Sequence, residues 1–291
     1  LFAALALSAA LALPTAAAAQ AASFDSAGVP IAYEDMGGDG EPVVLIHSFL
    51  SSSDMWSQAG FAPTDAYRFI TLDLRGHGDS GVSDDGTGYG AEMVEDVVRL
   101  LDHLGLEQAH VVGYSVGAEI ALKLTTVHPD RVRSLVVAGS GWSDAAKSGE
   151  VYAQVAMGLA NSPTIRDLVL AGLPPDMSPD LLEPLFAAME QHGIDLDFAG
   201  TEGLAGVAGS MDEVLGLSDA EVAAIEVPVM GIVSENDSER PGLERMAGVV
   251  PDYRMVLLAA GPTGDPSFDH LAATQDPAFH DSIMGFLSLQ S

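Results

Sequence analysis

The chain has 291 residues, 48% of them hydrophobic, and a formal net charge of −31 from Asp+Glu 42 against Lys+Arg 11. That length suits one large α/β domain with room for an inserted lid, and the apolar content allows a sizeable core. The acidic balance argues against nucleic acid and anionic membranes as partners, and the lack of cysteine excludes disulfides, thiolate metal sites and thiol catalysis.

Leu1 to Leu13 is mostly apolar and alanine-rich, Pro14 interrupts it, and Ala16 to Ala22 is mainly alanine. No charged residue precedes Asp25. The pattern is that of the apolar and cleavage regions of a secretory signal, and Ala19-Gln20-Ala21 fits A-x-A. The run is short for a membrane span. Residues 1–22 are therefore expected to act as a signal peptide. Export to the periplasm or beyond is expected, with no stable membrane insertion after processing.

Phe24 to Ser26 and Ile31 to Asp35 are short strand candidates around the Ala27-Gly28 turn. Val43-Val44-Leu45-Ile46 is a continuous apolar run, as expected of a strand buried on both faces. It ends in His47-Ser48-Phe49-Leu50-Ser51, and a poorly marked helix begins at Trp56. Tyr67 to Asp73 is the next strand, running into the glycine-rich turn Leu74-Arg75-Gly76-His77-Gly78-Asp79-Ser80. Tyr89 to Leu104 has helical apolar spacing, and Gly105 stops it.

Ala109-His110-Val111-Val112 leads into Gly113-Tyr114-Ser115-Val116-Gly117, and the small-residue helical stretch from Ala118 to Leu124 leaves it. Strand, G-x-S-x-G, helix is the pattern of a nucleophile elbow. The turn is too tight for side chains beside the serine, hence the glycines. The helix N-terminus favours negative charge on a bound oxyanion.

Arg131 to Ala138 is another strand. Residues 144–221 are helical in pattern and broken by Pro163, Pro174-Pro175, Pro179 and Pro184, so they are expected to be an inserted lid. Val227 to Val233, Leu243 to Val250, Tyr253 to Leu258 and Pro277 to Leu287 read as strand, helix, strand and closing helix. Strands alternating with helices predict an α/β fold, a mostly parallel sheet covered on both faces. The expected core domain is 23–143 with 222–291.

A serine hydroxyl needs a base to take its proton and a third group to hold that base. Asp237 follows the strand ending at Val233, and His270 lies between the last strand and the last helix. Both are expected at the carboxyl edge of the sheet, with Ser115. Asp144, after the strand 132–138, is an alternative acid, and His280 is a rival base. No metal-ligand spacing such as H-E-x-x-H occurs, so neither metal nor cofactor is expected. A tetrahedral intermediate needs backbone donors, expected to be the N–H groups of Val116 and Phe49.

These segments resemble the α/β-hydrolase fold superfamily, specifically its small, lid-bearing serine hydrolases. The resemblance runs through Val43–Ser51, Asp73–Ser80, Val111–Val137, Val227–Asp237 and His270–Leu287. It implies Ser115 as nucleophile, Asp237 as acid, His270 as base, Phe49 and Val116 as oxyanion donors, and Asp73, Arg75 and His77 as scaffold. Two positions depart from the family pattern. His47-Ser48-Phe49-Leu50-Ser51 replaces the usual H-G-x-x-G. If the turn keeps a positive φ at Ser48, strain on the order of 1 kcal/mol is expected there; alternatively the Ser48 hydroxyl donates to the oxyanion. Asp269 stands where a glycine usually precedes the histidine, and its carboxylate is expected to raise the imidazole pKa.

The expected function is hydrolysis of a small-molecule carboxylic ester. An aminopeptidase-like amide hydrolase, a carbon–carbon bond hydrolase, a cofactor-free perhydrolase and a non-catalytic binding protein remain as alternatives. Serine at the elbow disfavours branches of the superfamily that need a carboxylate nucleophile.

Overall fold

The structure is a computed structural model and describes residues 20–83, 87–173, 179–261 and 266–290. The apolar segment 1–19, Pro174-Pro175 and residues 262–265 lie outside the described residues.

Eight strands form one sheet in the order β1-β2-β4-β3-β5-β6-β7-β8. They are β1 (Gln20–Ser26), β2 (Val29–Asp35), β3 (Glu41–Ile46), β4 (Tyr67–Leu72), β5 (Ala109–Tyr114), β6 (Val132–Ala138), β7 (Val229–Ser234) and β8 (Tyr253–Leu258). β1 and β2 make an antiparallel hairpin, and β2 pairs antiparallel with β4. From β4 to β8 all pairs are parallel. β1 starts at Gln20, inside the alanine-rich stretch read as a cleavage region, and pairs Gln20 with Asp35.

The helices are α1 (Asp54–Gln58), α2 (Ala91–His103), α3 (Val116–Val127), α4 (Ala145–Leu159), α5 (Ile165–Gly172), α6 (Pro179–Gln191), α7 (Thr201–Gly209), α8 (Asp212–Leu215), α9 (Asp219–Ala223), α10 (Arg240–Ala247), α11 (Pro266–Ala272) and α12 (Pro277–Leu287). α4 to α9 fill the chain between β6 and β7 with no strand among the described residues.

Alternation along the strands divides the core. Val44 and Ile46 face one apolar layer with α2 and α3, whereas Val43 and Leu45 face another with Phe279, Ile283, Phe286 and Leu287 of α12. Continuous burial of β5 and β7 follows from this two-sided cover. The helical insertion has a smaller apolar centre of its own, built from Leu159, Ile165, Met189, Ile194, Leu196, Leu204 and Ala208.

The scaffold behind the sheet edge is polar and hydrogen-bonded. Asp73 accepts hydrogen bonds from the Ser53 and Asp79 N–H groups (2.7 and 2.8 Å). The buried Arg75 guanidinium forks onto Asp96 and donates to the Gly88 carbonyl. His47 accepts from the Leu74 N–H (2.9 Å) and donates to the Ser48 carbonyl (2.7 Å), and burial holds its imidazole below the usual range.

Candidate active site

The elbow forms as its sequence predicts. Ser115 sits between β5 and α3 at φ 54° and ψ −119°, and its N–H donates to the Ala138 carbonyl of β6 (2.8 Å). A Cβ added at Gly113 would lie 2.1 Å from the Gly117 carbonyl oxygen. One added at Gly117 would lie 2.2 Å from the Ile46 carbonyl oxygen of the neighbouring strand. Such contacts admit only glycine, so the two glycines set how closely α3 approaches β3 and β5.

Two further elements bring their side chains to this serine. His270, on α11, has Nε2 3.1 Å from Ser115 Oγ. Its Nδ1 lies 2.8 Å from Asp237 Oδ2, past the end of β7. Asp237 is buried, and its other carboxylate oxygen accepts the Glu239 N–H (2.9 Å). A carboxylate only accepts, so Nδ1 carries the proton and Nε2 is free to accept from the serine hydroxyl. The Tyr114 hydroxyl donates to the His270 carbonyl and holds the base from behind.

The alternatives fall elsewhere. Asp144 is the N-cap of α4 and accepts the Ala146 and Lys147 N–H groups (3.1 and 3.2 Å). His280 lies on α12 with its ring edge-on to Phe61. The partner of His270 Nδ1 is Asp237 and not its chain neighbour Asp269, whose buried carboxyl packs against Gly261.

Val116 is the first residue of α3, and Phe49 lies in the loop after β3. β3 and β5 are neighbours, with Ile46 opposite Gly113, so both expected oxyanion donors emerge at the carboxyl ends of adjacent strands. The loop differs from expectation in one respect. Its positive φ is at Leu50 (64°), not at Ser48, so the serine carries no left-handed strain. The Ser48 hydroxyl is buried against His192 Nε2 (2.8 Å).

Two buried groups beside the site escape a reading of the sequence. Glu119 on α3 accepts the hydroxyls of Ser140 (2.9 Å) and Tyr152 (3.0 Å), and burial raises its carboxyl to about 7. A lone carboxylate four residues after Ser115, in an otherwise apolar stretch, is the signal that points to it. His192, in the turn after α6, is the other; nothing local in its sequence marks it. Among the described residues no cluster of three or more His, Cys, Asp or Glu side chains could hold a metal ion.

A family model described as the alpha/beta hydrolase fold matches residues 41–173. The dihydrolipoyllysine acetyltransferase component of the acetoin cleaving system of Cupriavidus necator is 41% identical over 135 residues, 46% of this chain. The match spans only 35% of that protein, and 44% of its Pseudomonas putida counterpart. RutD of Azorhizobium caulinodans, provisionally named a carbamate hydrolase, is 27% identical over 268 residues, 87% of this chain and 94% of that one. A solved structure from a study of carboxylesterases of the thaumarchaeon Nitrososphaera gargenis superposes with a TM-score of 0.77 at 21% identity. It covers 93% of this chain and 98% of the other, and shares the fold. Sheet order, elbow and these matches agree: the chain has the α/β-hydrolase fold.

Proposed function

We propose that this protein is a serine hydrolase that cleaves small carboxylic esters through an acyl-enzyme on Ser115. The observation that carries the reading is the continuous hydrogen-bonded line from Ser115 Oγ through His270 to Asp237. His270 Nε2 takes the Ser115 proton as Oγ attacks the ester carbonyl. Negative charge forms on the carbonyl oxygen, facing the N–H groups of Val116 and Phe49. As the intermediate collapses, the alkoxide leaves and takes the proton from His270. Water then repeats the sequence on the acyl-enzyme and releases the acid. Asp237 keeps the imidazole in the right tautomer and favours the imidazolium formed in each step. The helical insertion serves as the lid over a small-molecule substrate.

A fluorophosphonate probe tests the reading. It is expected to label the wild-type protein and not Ser115→Ala; equal labelling of both would overturn the mechanism. Carbamate or amide cleavage, using the same steps, is the second reading, favoured by the near full-length likeness to RutD. A series of p-nitrophenyl esters of increasing chain length, set beside a p-nitrophenyl carbamate and an amino-acid p-nitroanilide, separates the two. Export belongs to the same proposal. Protein recovered from outside the cytoplasm is expected to begin near Ala22, and a membrane-held N-terminus at Leu1 would contradict it.

A further inference from the structure

His192 takes no part in the steps above, yet it is 1% exposed and meets the site from both sides. Its Nε2 lies 2.8 Å from Ser48 Oγ, in the loop that carries Phe49. On the other side its Nδ1 lies 3.3 Å from Thr274 Oγ1, in the short turn that follows the helix of His270. The ring packs edge-on against Tyr114, with centroids 5.2 Å apart.

Burial pushes this imidazole down to about 3, so it is neutral at working pH. A neutral imidazole has one donor and one acceptor nitrogen. With Nδ1–H donating to Thr274 Oγ1, Nε2 accepts the Ser48 hydroxyl proton. In this arrangement the Ser48 hydroxyl points at His192. The turn itself is fitted into the loop. Ser51 Oγ donates to the His192 carbonyl (2.7 Å). Gly193 takes φ +77°, and a Cβ there would meet Ser51 Oγ at 2.9 Å and the Met55 nitrogen at 3.1 Å.

We propose that His192 is a positioning residue for hydrolysis: it ties Ser48, beside the oxyanion donor Phe49, to Thr274, in the turn after the helix that carries the base His270, and so fixes the spacing between them. This rests on the serine-hydrolase reading. The insertion thereby contributes to the geometry of the sheet edge, in addition to covering it. Loosening the tie displaces an oxyanion donor by a fraction of an ångström, which weakens the transition state far more than the bound substrate.

The test measures kcat, KM and melting temperature on a p-nitrophenyl ester for wild type, His192→Ala, His192→Gln, Ser48→Ala and the His192→Ala/Ser48→Ala pair. In His192→Ala, kcat is expected to fall about 10²-fold with KM changed less than about threefold. Ser48→Ala is expected to lose about tenfold, and the pair no more than His192→Ala alone, since both remove one tie. His192→Gln, whose amide offers both a donor and an acceptor, should recover part of the loss. Unchanged kcat in Ser48→Ala and His192→Ala, multiplying losses in the pair, or losses confined to melting temperature would overturn the proposal. If His192→Ala does not fold, Ser48→Ala, His192→Gln and their pair carry the same comparison. A wild type that fluorophosphonate does not label overturns the hydrolase reading and this role together. A labelled wild type with unaffected variants overturns this role alone.

Discussion

The carboxyl edge of the sheet and the helical insertion are held by different means. At the edge, position is set by backbone: Ser115 by its N–H bond to Ala138 and by glycines that touch neighbouring carbonyls, Asp237 by its place past the end of β7. The insertion has an apolar centre of its own and also lends Val207, Met211, Val214 and Leu215 to the main core, and polar side chains add further ties: Tyr152 to Glu119, Ser48 and Ser51 to His192. Backbone placement is hard to disturb without unfolding the sheet. Side-chain ties can be undone by one substitution or one proton. The edge should therefore control chemistry almost independently of stability, and the ties should trade one against the other.

The largest expected effects lie at the edge. Ser115→Ala and His270→Ala should each lower kcat on the order of 10³-fold or more with little change in melting temperature. Substantial activity in either would break the comparison at its stronger end. Asp237→Asn should cost roughly 10²–10⁴-fold in kcat. Asp144→Asn should leave kcat nearly intact and act on α4, where it costs at most about 1 kcal/mol of capping by urea denaturation. If the two results are reversed, the acid is Asp144.

The ties give smaller effects with a pH signature. Burial raises the Glu119 carboxyl to about 7, against 4.5 for an ordinary glutamate. Between those values the folded protein holds a proton that the unfolded chain has lost. Its contribution to stability is thus complete below the lower value and is lost as pH rises through the upper one. Glu119→Gln has no such proton. From pH 5 to pH 8 it should gain on the wild type by about 2 kcal/mol in urea denaturation, and a pH-independent difference would refute the assignment. Three of the buried histidines, His47, His77 and His192, act in the opposite sense. Their pKa values are lowered, so stability present above 6.5 is lost as pH falls. The smallest effect is expected for Ser48→Gly. There is no positive φ to relieve at this position, and a hydrogen bond is lost, so stability should drop by about 1 kcal/mol, not rise.

What the sequence discloses follows the same division. The strands show as apolar runs because a parallel sheet buries both faces, and the elbow shows because its glycines are a local steric need. His270 and Asp237 are legible from their places after successive strands, although α11 around the histidine is not. Asp237 and Asp144 both follow a strand, and only the fold distinguishes them: Asp237 meets His270, and Asp144 caps α4. Glu119 and His192 are hidden for another reason. Their partners are 33 and 144 residues away, across an insertion whose path depends on tertiary packing. Ser48 was expected to hold the turn that Leu50 in fact holds, because a glycine pattern fixes that a loop must reverse but not which residue does so.

Leu50 and Ser115 share a property with only one other described non-glycine residue, Ala27: a backbone in the left-handed region. Each costs on the order of 1 kcal/mol, and the two at the site sit beside the proposed oxyanion donors. A population selected only for heat resistance would therefore find stabilising changes at these two positions and lose turnover with them. Glycine at 115 would relax the elbow and abolish the nucleophile in one substitution. Natural variation in thermal tolerance among close relatives should thus accumulate in the hairpin and the insertion, leaving the elbow as the part of the molecule that adaptation to temperature cannot improve.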